Sequence, residues 1–310
     1  MSKVLLTGGS GFIGTRLLQH PLFKEALTVG RTSPDKGGKF TYIPLTESSD
    51  YTEILSDVNV VVHVAARAHM MNEIARDPLS EYRKTNTLAT LNLAKQAIKA
   101  GVKRFIFISS IKVLGDNTEI GQPFSITDSL NPKDAYGVSK AEAEIGLMRL
   151  CRDSNMAFVI IRPPLVYGAG VKGNFEKLLQ LISMRIPLPL GSVNNKRSMV
   201  SIDNLVDLIC VCIKDKKAKN QIFLVSDDFD MSLPELLYEL SKARSYECRL
   251  IKFPLGLLRL IFFCFGKSGI YNRLCRSMQV DLTHTKRQLG WEPPFSIQQS
   301  LSEVWSQGEQ

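Results

Sequence analysis

The chain has 310 residues, of which 44% are hydrophobic and 22% charged, and its formal net charge is +9. This length and composition, without a repeat or low-complexity tract, predict a soluble globular protein with one large and one smaller domain. A basic balance suits nucleic acid, a membrane surface or an anionic small molecule. Because the cations are scattered and no zinc-finger or RNA-binding pattern accompanies them, we expect no nucleic acid partner and no metal.

Cysteine spacing and apolar segments predict the compartment. The six cysteines show no CxxC and no disulfide-framework spacing, which predicts reduced thiols in a cytoplasmic protein. Residues 1–7 already form an apolar strand, so we expect no signal peptide. The longest apolar stretch, 253–265, contains Arg259 and is too short to span a bilayer. We expect a packed helix there, with an interfacial membrane contact as the open alternative.

Apolar runs typical of strands alternate with helical patterns over the first half of the chain. Strands are predicted at 3–7, 27–31, 41–44, 60–65, 104–109 and 157–162. Helices are predicted from Gly14 to about His20, near 80–100 and near 134–154. This alternation predicts βαβ units and an α/β fold, a Rossmann-type doubly wound parallel sheet.

The alternation weakens after about Tyr167, where Pro, Gly and Asn become more frequent. We expect the chain to leave the sheet there and build a smaller C-terminal α/β domain for the substrate. A helix at 203–214 and a strand at 221–225 should return to the sheet. The predicted domains are therefore 1–166 for the dinucleotide, joined by 197–226, and 167–196 with 227–310 for the substrate.

Three glycines follow the first predicted strand and open a helix. Gly8, Gly11 and Gly14 stand in the context that a dinucleotide fingerprint requires. Glycine permits the tight turn and lets a pyrophosphate approach the backbone, where N–H groups at the helix N-terminus meet its charge. Phe12 and Ile13, in the same turn, are expected to contact the cofactor as well.

The end of the second predicted strand should contact the adenosine ribose. An acid there accepts a hydrogen bond from the 2′-hydroxyl of NAD, whereas an arginine accommodates the 2′-phosphate of NADP. The chain has Arg31 at this point and no acid before Asp35. Arg31 therefore favours NADP(H), with NAD(H) still possible.

Tyr136 and Lys140 are spaced four residues apart in a predicted helix. This spacing puts both side chains on one helix face, about one turn apart. A cation beside a phenol lowers the pKa of the phenol from about 10 toward neutrality. A tyrosine in that state can pass a proton to or from an oxygen near pH 7.

Residues 7–14 (TGGSGFIG) together with 136–140 (YGVSK) resemble the extended short-chain dehydrogenases/reductases that act on nucleotide sugars, the NAD-dependent epimerase/dehydratase family. The resemblance runs from residue 4 to about residue 291. It implies a catalytic triad of Ser110, Tyr136 and Lys140, in which Ser110 rather than Ser109 holds the substrate oxygen. Tyr136 would be the general acid or base, and Lys140 would lower its pKa and bind the nicotinamide ribose.

The same resemblance implies further contacts on both sides of the reacting centre. On the cofactor side it implies Ala65, Ala66, Arg67, Asn86, Pro163 and Leu165. On the substrate side it implies Asn174 and Phe175 for the diphosphate and base, and Arg197 for the diphosphate. Arg273 is a second phosphate candidate, with Arg276 as its rival. A homodimer through the helices near 80–100 and 134–154 is expected.

Two residues depart from the pattern of the 4,6-dehydratases of this family. Those enzymes need an acidic pair directly after the hydroxyl residue, and this chain has Ile111 and Lys112 instead. An apolar side chain and a cation cannot carry out that acid–base step, so dehydration is not expected.

The resemblance then implies oxidation or reduction at C4 of a UDP-sugar. The runs at 160–168, 186–191 and 280–291 resemble a bacterial surface-polysaccharide branch that includes reductases of UDP-4-keto-6-deoxy-N-acetylglucosamine. With Arg31, they favour reduction of a UDP-4-keto-6-deoxy-HexNAc for O-antigen or capsule. The alternative is a UDP-hexose or UDP-N-acetylhexosamine 4-epimerase with tightly bound NAD. A catalytically inactive NADP(H)-binding protein is a lesser alternative.

Overall fold

A computed structural model of the chain describes residues 3–67, 77–246 and 248–305. In chain order the strands are β1 (Val4–Thr7), β2 (Leu27–Gly30), β3 (Lys39–Tyr42), β4 (Val60–His63), β5 (Arg104–Ile108), β6 (Ala157–Arg162), β7 (Leu165–Tyr167), β8 (Arg197–Ser201), β9 (Gln221–Leu224) and β10 (Asp230–Met231). Seven of them form a sheet in the order β3-β2-β1-β4-β5-β6-β9, with every neighbouring pair parallel. The order reverses between β1 and β4, which marks the crevice where α/β sheets of this kind bind ligands.

The helices follow the predicted alternation. They are α1 (Phe12–Gln19), α2 (Thr52–Leu55), α3 (Pro78–Tyr82), α4 (Ala89–Lys99), α5 (Ala135–Arg152), α6 (Asn174–Ser183), α7 (Ile202–Lys214), α8 (Leu233–Lys242), α9 (Leu255–Cys264), α10 (Ser268–Cys275), α11 (Thr283–Leu289) and α12 (Ile297–Glu303). The stretch predicted as one helix near 80–100 is α3, a π-helical segment at Arg83–Leu88, and α4. No helix among the described residues is long and apolar enough to cross a bilayer.

Apolar strands are covered on both faces by these helices. On one face, Leu17 of α1 and Leu205 of α7 pack in a cluster with alternate residues of the strands. On the other face, Leu93 of α4 and Leu147 of α5 do the same. Helices from both sides therefore fix the carboxyl ends of the strands, where the candidate site lies.

A smaller sheet and a third apolar cluster lie in the second half of the chain. Here β7 pairs with β8 in parallel and β10 pairs with β8 antiparallel. The cluster joins α6, α8 and α12, with Phe175, Leu240 and Leu301 buried in it. The return to the large sheet begins at α7 and β9, later than the predicted residue 197, because β8 belongs to the small sheet. The domain boundaries themselves stay a prediction.

Strand positions agree with the prediction apart from one shift, and the segment 253–265 forms the predicted helix but is more exposed than expected. The strand predicted at 41–44 is β3, two residues earlier, because Pro44 has no N–H to donate to a ladder. The predicted packed helix at 253–265 is α9, and most of its apolar side chains are exposed. The helix packs on the third apolar cluster through Leu255, Leu258 and Phe262, as predicted, but a continuous apolar run has no periodicity that identifies the buried face, so the extent of exposure was not predicted.

Candidate active site

The glycine turn joins β1 to α1 and has no room for side chains. Gly8 has φ 76°, and a Cβ on it would lie 2.7 Å from the backbone nitrogen of Ala65. A Cβ on Gly14 would lie 2.0 Å from the carbonyl oxygen of Gly8. The N-terminus of α1 has neither a side-chain cap nor a carboxylate in its first turn. Its backbone N–H groups therefore suit the pyrophosphate of a dinucleotide.

One cavity of about 440 Å³ lies over the carboxyl ends of the parallel strands. It brings together the predicted residues Gly8, Gly11, Phe12, Ile13, Arg31, Ala65, Ala66, Ser110, Tyr136, Lys140 and Pro163. Residues 80 or more positions apart in sequence thus share one wall, because parallel strands end at the same edge of the sheet. The glycine turn and the proposed catalytic groups therefore line the same cavity.

Four predicted cofactor residues lie outside this cavity wall. Gly14 is buried against Gly8, and its role is the close approach of helix and strand. The Asn86 side chain is fully buried, where it accepts from the Arg67 backbone nitrogen at 2.8 Å and donates to Ser139 Oγ at 3.1 Å. The Arg67 guanidinium lies 5.5 Å from the centre of the Tyr82 ring.

Leu165 is the fourth, and the structure places it in a second cavity, described below. Because side chains alternate along β7, Val166 faces the cofactor cavity and Leu165 faces away from it. Gly14, Arg67, Asn86 and Leu165 therefore do not line the cofactor cavity, and their assignment to the cofactor stays a prediction.

A buried histidine that the sequence analysis missed supports the glycine turn. One ring nitrogen of His63 hydrogen-bonds Thr7 Oγ1 at 2.7 Å and the other hydrogen-bonds Thr90 Oγ1 at 2.8 Å. Burial, followed by the charge of Lys140, lowers the pKa of His63 to about 3, so the ring is neutral. Thr7 Oγ1 also accepts from the Ala65 backbone nitrogen at 3.2 Å. His63, which lies within an apolar strand in the sequence, thereby links β1, β4 and α4 through hydrogen bonds.

The proposed triad lies where β5 meets the start of α5. Ser110 follows β5 and hydrogen-bonds the Tyr136 phenol. Asp134 caps α5, accepting from the Gly137 backbone nitrogen at 2.7 Å, which places Tyr136 in the first turn. Lys140 is 1% exposed, and its ammonium donates to the Ile108 carbonyl at 2.8 Å. Ser110, which follows β5, and Tyr136 and Lys140, on α5, thus all line the same cavity.

The electrostatics of this pair differ from the sequence-based expectation. Desolvation, with a further contribution from Asp134, raises the pKa of Tyr136 to about 12, although the Ser110 hydrogen bond opposes the rise. Burial lowers the pKa of Lys140 to about 7, and Glu144 opposes that change. The expected lowering of the Tyr136 pKa by Lys140 is therefore wrong for this arrangement. Lys140 is not among the groups that shift the Tyr136 pKa, and its ammonium binds the Ile108 carbonyl and lies 4.5 Å from the centre of the Phe107 ring.

The two positions that separate this chain from dehydratases have structural roles. Ile111 is buried, and Lys112 forms an ion pair with Asp134. A second carboxylate, Asp116, lies 3.7 Å from the same ammonium. Lys112 thus secures the residue that caps α5, and neither position supplies an acid to the cavity.

A second cavity, of about 240 Å³, collects the predicted substrate residues. Arg197, Phe175 and Arg273 all line it. Phe175 is fully buried and its ring stacks on Tyr167 with 5.5 Å between ring centres. The rival of Arg273, Arg276, lies in a different cleft between α9 and α10. Asn174 begins α6, and its side chain lies outside the described part of the structure.

Arg197 is held in place by backbone carbonyls. Its Nη1 donates to the carbonyl of Arg273 at 2.9 Å and to that of Arg276 at 3.0 Å. Burial lowers the pKa of this guanidinium, which still stays charged at neutral pH. Lys177 on α6 adds a third cation to the cavity. The sequence analysis missed it, because a lysine on an amphipathic helix looks like any solvated residue.

A glycine turn, a Ser–Tyr–Lys group and a neighbouring cationic cavity on a parallel sheet define a short-chain dehydrogenase/reductase of the extended type. The family profile described as "NAD dependent epimerase/dehydratase family" matches residues 4–226. The chain belongs to this family, and it is an NAD-dependent nucleotide-sugar enzyme of the extended type.

Individual relatives cover the whole chain. It is 48% identical to a UDP-glucose 4-epimerase of Vibrio cholerae over 97% of this chain and 94% of the relative. The UDP-glucose 4-epimerase of Thermotoga maritima, solved with UDP-glucose, has a TM-score of 0.77 at 22% identity, with 99% and 98% of the two chains covered. The UDP-glucuronic acid 4-epimerase of Bacillus cereus, solved with NAD, has a TM-score of 0.78 at 19% identity, with 98% of each chain covered. These two structures share the fold of this chain.

Proposed function

We propose that this chain is a UDP-sugar 4-epimerase that interconverts UDP-hexoses or UDP-N-acetylhexosamines at C4. The observation that carries the proposal is the 48% identity, over nearly the full length, to the Vibrio cholerae UDP-glucose 4-epimerase. This observation favours the alternative raised by the sequence over the C4 reductase that the sequence favoured. Reductase chemistry remains the second candidate, supported by Arg31 in the cofactor cavity.

The proposed proton chemistry uses Tyr136 and Ser110. In the oxidation of C4 Tyr136 would accept the hydroxyl proton, and in the reduction its phenol would return the proton to the same oxygen. The first of these roles requires that binding in the cavity lowers the Tyr136 pKa from about 12. The Ser110 hydroxyl, which hydrogen-bonds Tyr136, orients that oxygen and stabilises its charge. A nicotinamide dinucleotide held by the glycine turn and the cavity around Tyr136 and Lys140 would supply the hydride chemistry at C4 in both directions. Proton and hydride both return, so the epimerisation is redox-neutral.

The second cavity would hold the nucleoside diphosphate. We assign the diphosphate to Arg197 and Arg273, because guanidinium groups donate paired hydrogen bonds to phosphate oxygens. Phe175 provides an aromatic wall for the base. With the nucleotide fixed there, a 4-keto sugar can turn within the neighbouring cavity and present its other face.

Arg31 bears on the cofactor rather than on the reaction. Its side chain is exposed at the cavity and makes no hydrogen bond or ion pair with the residues that the structure describes. A free guanidinium at this point supports binding of a 2′-phosphate, so we propose that NADP(H) is accepted alongside NAD(H).

We further propose a homodimer through α4 and α5. Leu88, directly before α4, and Ile145 on α5 are large apolar side chains with 41% and 43% exposure. A charged residue at Ile145 should give a monomer in light-scattering measurements. Surface-polysaccharide biosynthesis is the proposed context of the activity, on the resemblance of residues 280–291 and the two other runs described above.

Two assays on the purified protein separate the candidates. The epimerase proposal predicts interconversion of UDP-glucose with UDP-galactose, or of UDP-GlcNAc with UDP-GalNAc, without net change in nicotinamide absorbance. Stoichiometric consumption of NADPH with UDP-4-keto-6-deoxy-GlcNAc, and no epimer, would establish the reductase instead. Tyr136→Phe should abolish turnover and retain cofactor binding. The matched control is Tyr82→Phe, since that ring lies 6.0 Å from the ring of Tyr136.

A further inference from the structure

Helix α9 exposes an apolar face that nothing in the described structure covers. Its inner side, formed by Leu255, Leu258 and Phe262, packs on the third apolar cluster. The residues on the opposite side are apolar as well, and together with two neighbours they form what we call the α9 surface: Ile251, Leu257, Leu260, Ile261, Phe263 and Phe265. Phe263 and Phe265 are 71% and 74% exposed. Single exposed apolar residues are ordinary, whereas four on one ten-residue helix with two more beside it in the sequence are typical of an interaction surface.

The charged residues in the segment that contains most of the α9 surface, 248–280, have one sign. Between residues 248 and 280 the sequence has no Asp or Glu and six cations, namely Arg249, Lys252, Arg259, Lys267, Arg273 and Arg276. Arg259 and Lys267, beside the apolar residues, are exposed. An apolar face with flanking cations and no carboxylate complements a surface that is apolar inside and negatively charged outside.

We propose that the α9 surface docks on an anionic lipid bilayer. A helix of ten residues is about 15 Å long, which is half the thickness of a bilayer core, so it lies in the interface plane rather than spanning it. The large aromatic side chains enter the boundary between headgroups and acyl chains, while Arg259 and Lys267 contact the headgroups. A second copy is a poorer occupant, because a symmetric pair of these surfaces would bring the cations of both copies together.

This docking would place the second cavity near the bilayer. Helix α10 packs on α9, with 6.2 Å between the ring centres of Phe262 and Tyr271. The other side of α10 contributes Ile270, Arg273 and Leu274 to the wall of the second cavity. One short helix therefore separates the proposed lipid contact from the proposed diphosphate site. The enzyme would release its product next to the membrane.

Vesicle co-sedimentation of the full chain tests the proposal. We expect binding to vesicles of mixed phosphatidylglycerol and phosphatidylcholine, loss of that binding at high salt, and no binding to phosphatidylcholine alone. Two double variants should each lower the vesicle partition coefficient more than about tenfold: Phe263→Ser with Phe265→Ser, and Arg259→Glu with Lys267→Glu. For the second variant, one cation near an anionic surface raises the partition coefficient about fivefold.

Matched controls use the same changes elsewhere on the surface. Ile120→Ser with Phe229→Ser removes two apolar side chains of 57% and 53% exposure, and Lys214→Glu with Lys219→Glu makes the same change in net charge. Both controls should bind vesicles like the parent chain. Thermal unfolding checks that each variant is folded, and this check does not depend on the proposed epimerase activity. The proposal is overturned if the parent chain does not bind anionic vesicles, or if the α9 variants bind as well as the controls. A change in oligomeric state of the serine variant, without vesicle binding, would identify a second copy as the occupant.

Discussion

Arg162 and Glu144 form a buried, bidentate ion pair that joins the end of β6 to the middle of α5. The guanidinium Nε lies 3.0 and 3.2 Å from the two carboxylate oxygens, and Nη2 lies 2.6 Å from one of them. The two side chains are 3% and 0% exposed. Glu144 is one turn beyond Lys140 on α5. The ion pair therefore fixes the position of α5, and with it the proposed catalytic residues Tyr136 and Lys140, relative to the cavity.

Breaking the pair should destabilise the protein strongly. Glu144→Gln leaves the Arg162 charge buried without a counter-charge, and we expect a loss of about 3 kcal/mol in the free energy of unfolding, measured by urea denaturation. The control is Glu142→Gln on the same helix, which breaks an exposed pair with Arg83 and should cost less than about 1 kcal/mol. Equal losses in the two variants would contradict this account of α5.

The two neighbouring serines should differ sharply in activity. Ser110→Ala removes the hydroxyl that hydrogen-bonds Tyr136, and we expect kcat to fall about 100-fold. Ser109 lines the same cavity, but its buried hydroxyl has no hydrogen-bond partner among the described residues, so Ser109→Ala should change kcat little. Measuring kcat and cofactor affinity for both variants checks the assignment, and the reverse order would exchange the roles of the two residues.

Lys140 should make the cofactor-free protein less stable than it would be with an apolar residue there. The pKa of Lys140 in the folded protein, about 7, lies below the ordinary lysine value of 10.5, so the unfolded chain binds more protons between these pH values. The stability of the parent chain therefore rises as the pH increases from about 7 to 10.5. Lys140→Met should raise the melting temperature most below pH 7, with a gain that shrinks above it, and should abolish turnover.

The measurement is thermal unfolding at pH 6 and pH 9, with Lys95→Met on the exposed side of α4 as the control. The control should show no gain that depends on pH. A gain for Lys140→Met that is the same at both pH values would mean that the ammonium is not desolvated in the folded protein.

Arg31→Ala should separate the two dinucleotides. Loss of a charge-assisted contact to the 2′-phosphate predicts a Kd for NADPH raised about tenfold or more, with a small effect on NADH. Lys36→Ala, an exposed cation five residues further on, controls for the change in local charge. Both affinities can be measured by nicotinamide fluorescence. Equal weakening of NADPH and NADH by Arg31→Ala would remove the proposed phosphate contact.

Local sequence patterns predicted the parts of the site that depend on neighbouring residues. The glycines are needed for the backbone geometry of the turn. A strand followed by G-x-x-G-x-x-G is enough to predict that turn. Tyr136 and Lys140 share a helix face because of their spacing alone. The direction of the Lys140 ammonium was not predictable in the same way. It depends on the Ile108 carbonyl, 32 residues away on another element.

Burial was the other property that local patterns could not supply. The run at 253–265 is apolar on every side, so its sequence does not tell which face the third cluster covers. The role of His63 depends on Thr7 and Thr90, which only the parallel pairing of β1 with β4 and the packing of α4 bring to its ring. Which of Leu165 and Val166 lines the cofactor cavity was equally unpredictable, because it depends on how β7 pairs with β8 in the small sheet.

The backbone carbonyls of Arg273 and Arg276 accept hydrogen bonds from Arg197 Nη1. They thereby also limit the conformational entropy that the Arg197 side chain can lose when a ligand binds. Because its rotamer is already fixed by Arg273 and Arg276, contact with a diphosphate need not order it at that moment, a saving of about 0.5–1.5 kcal/mol for such a side chain. Lys177, exposed at the mouth of the same cavity, has no such restraint among the described residues and must be ordered on contact. Among its three cations the cavity thus has a restrained one, Arg197, and an adaptable one, Lys177, a combination that suits the proposed tight binding of a diphosphate with tolerance toward the attached sugar.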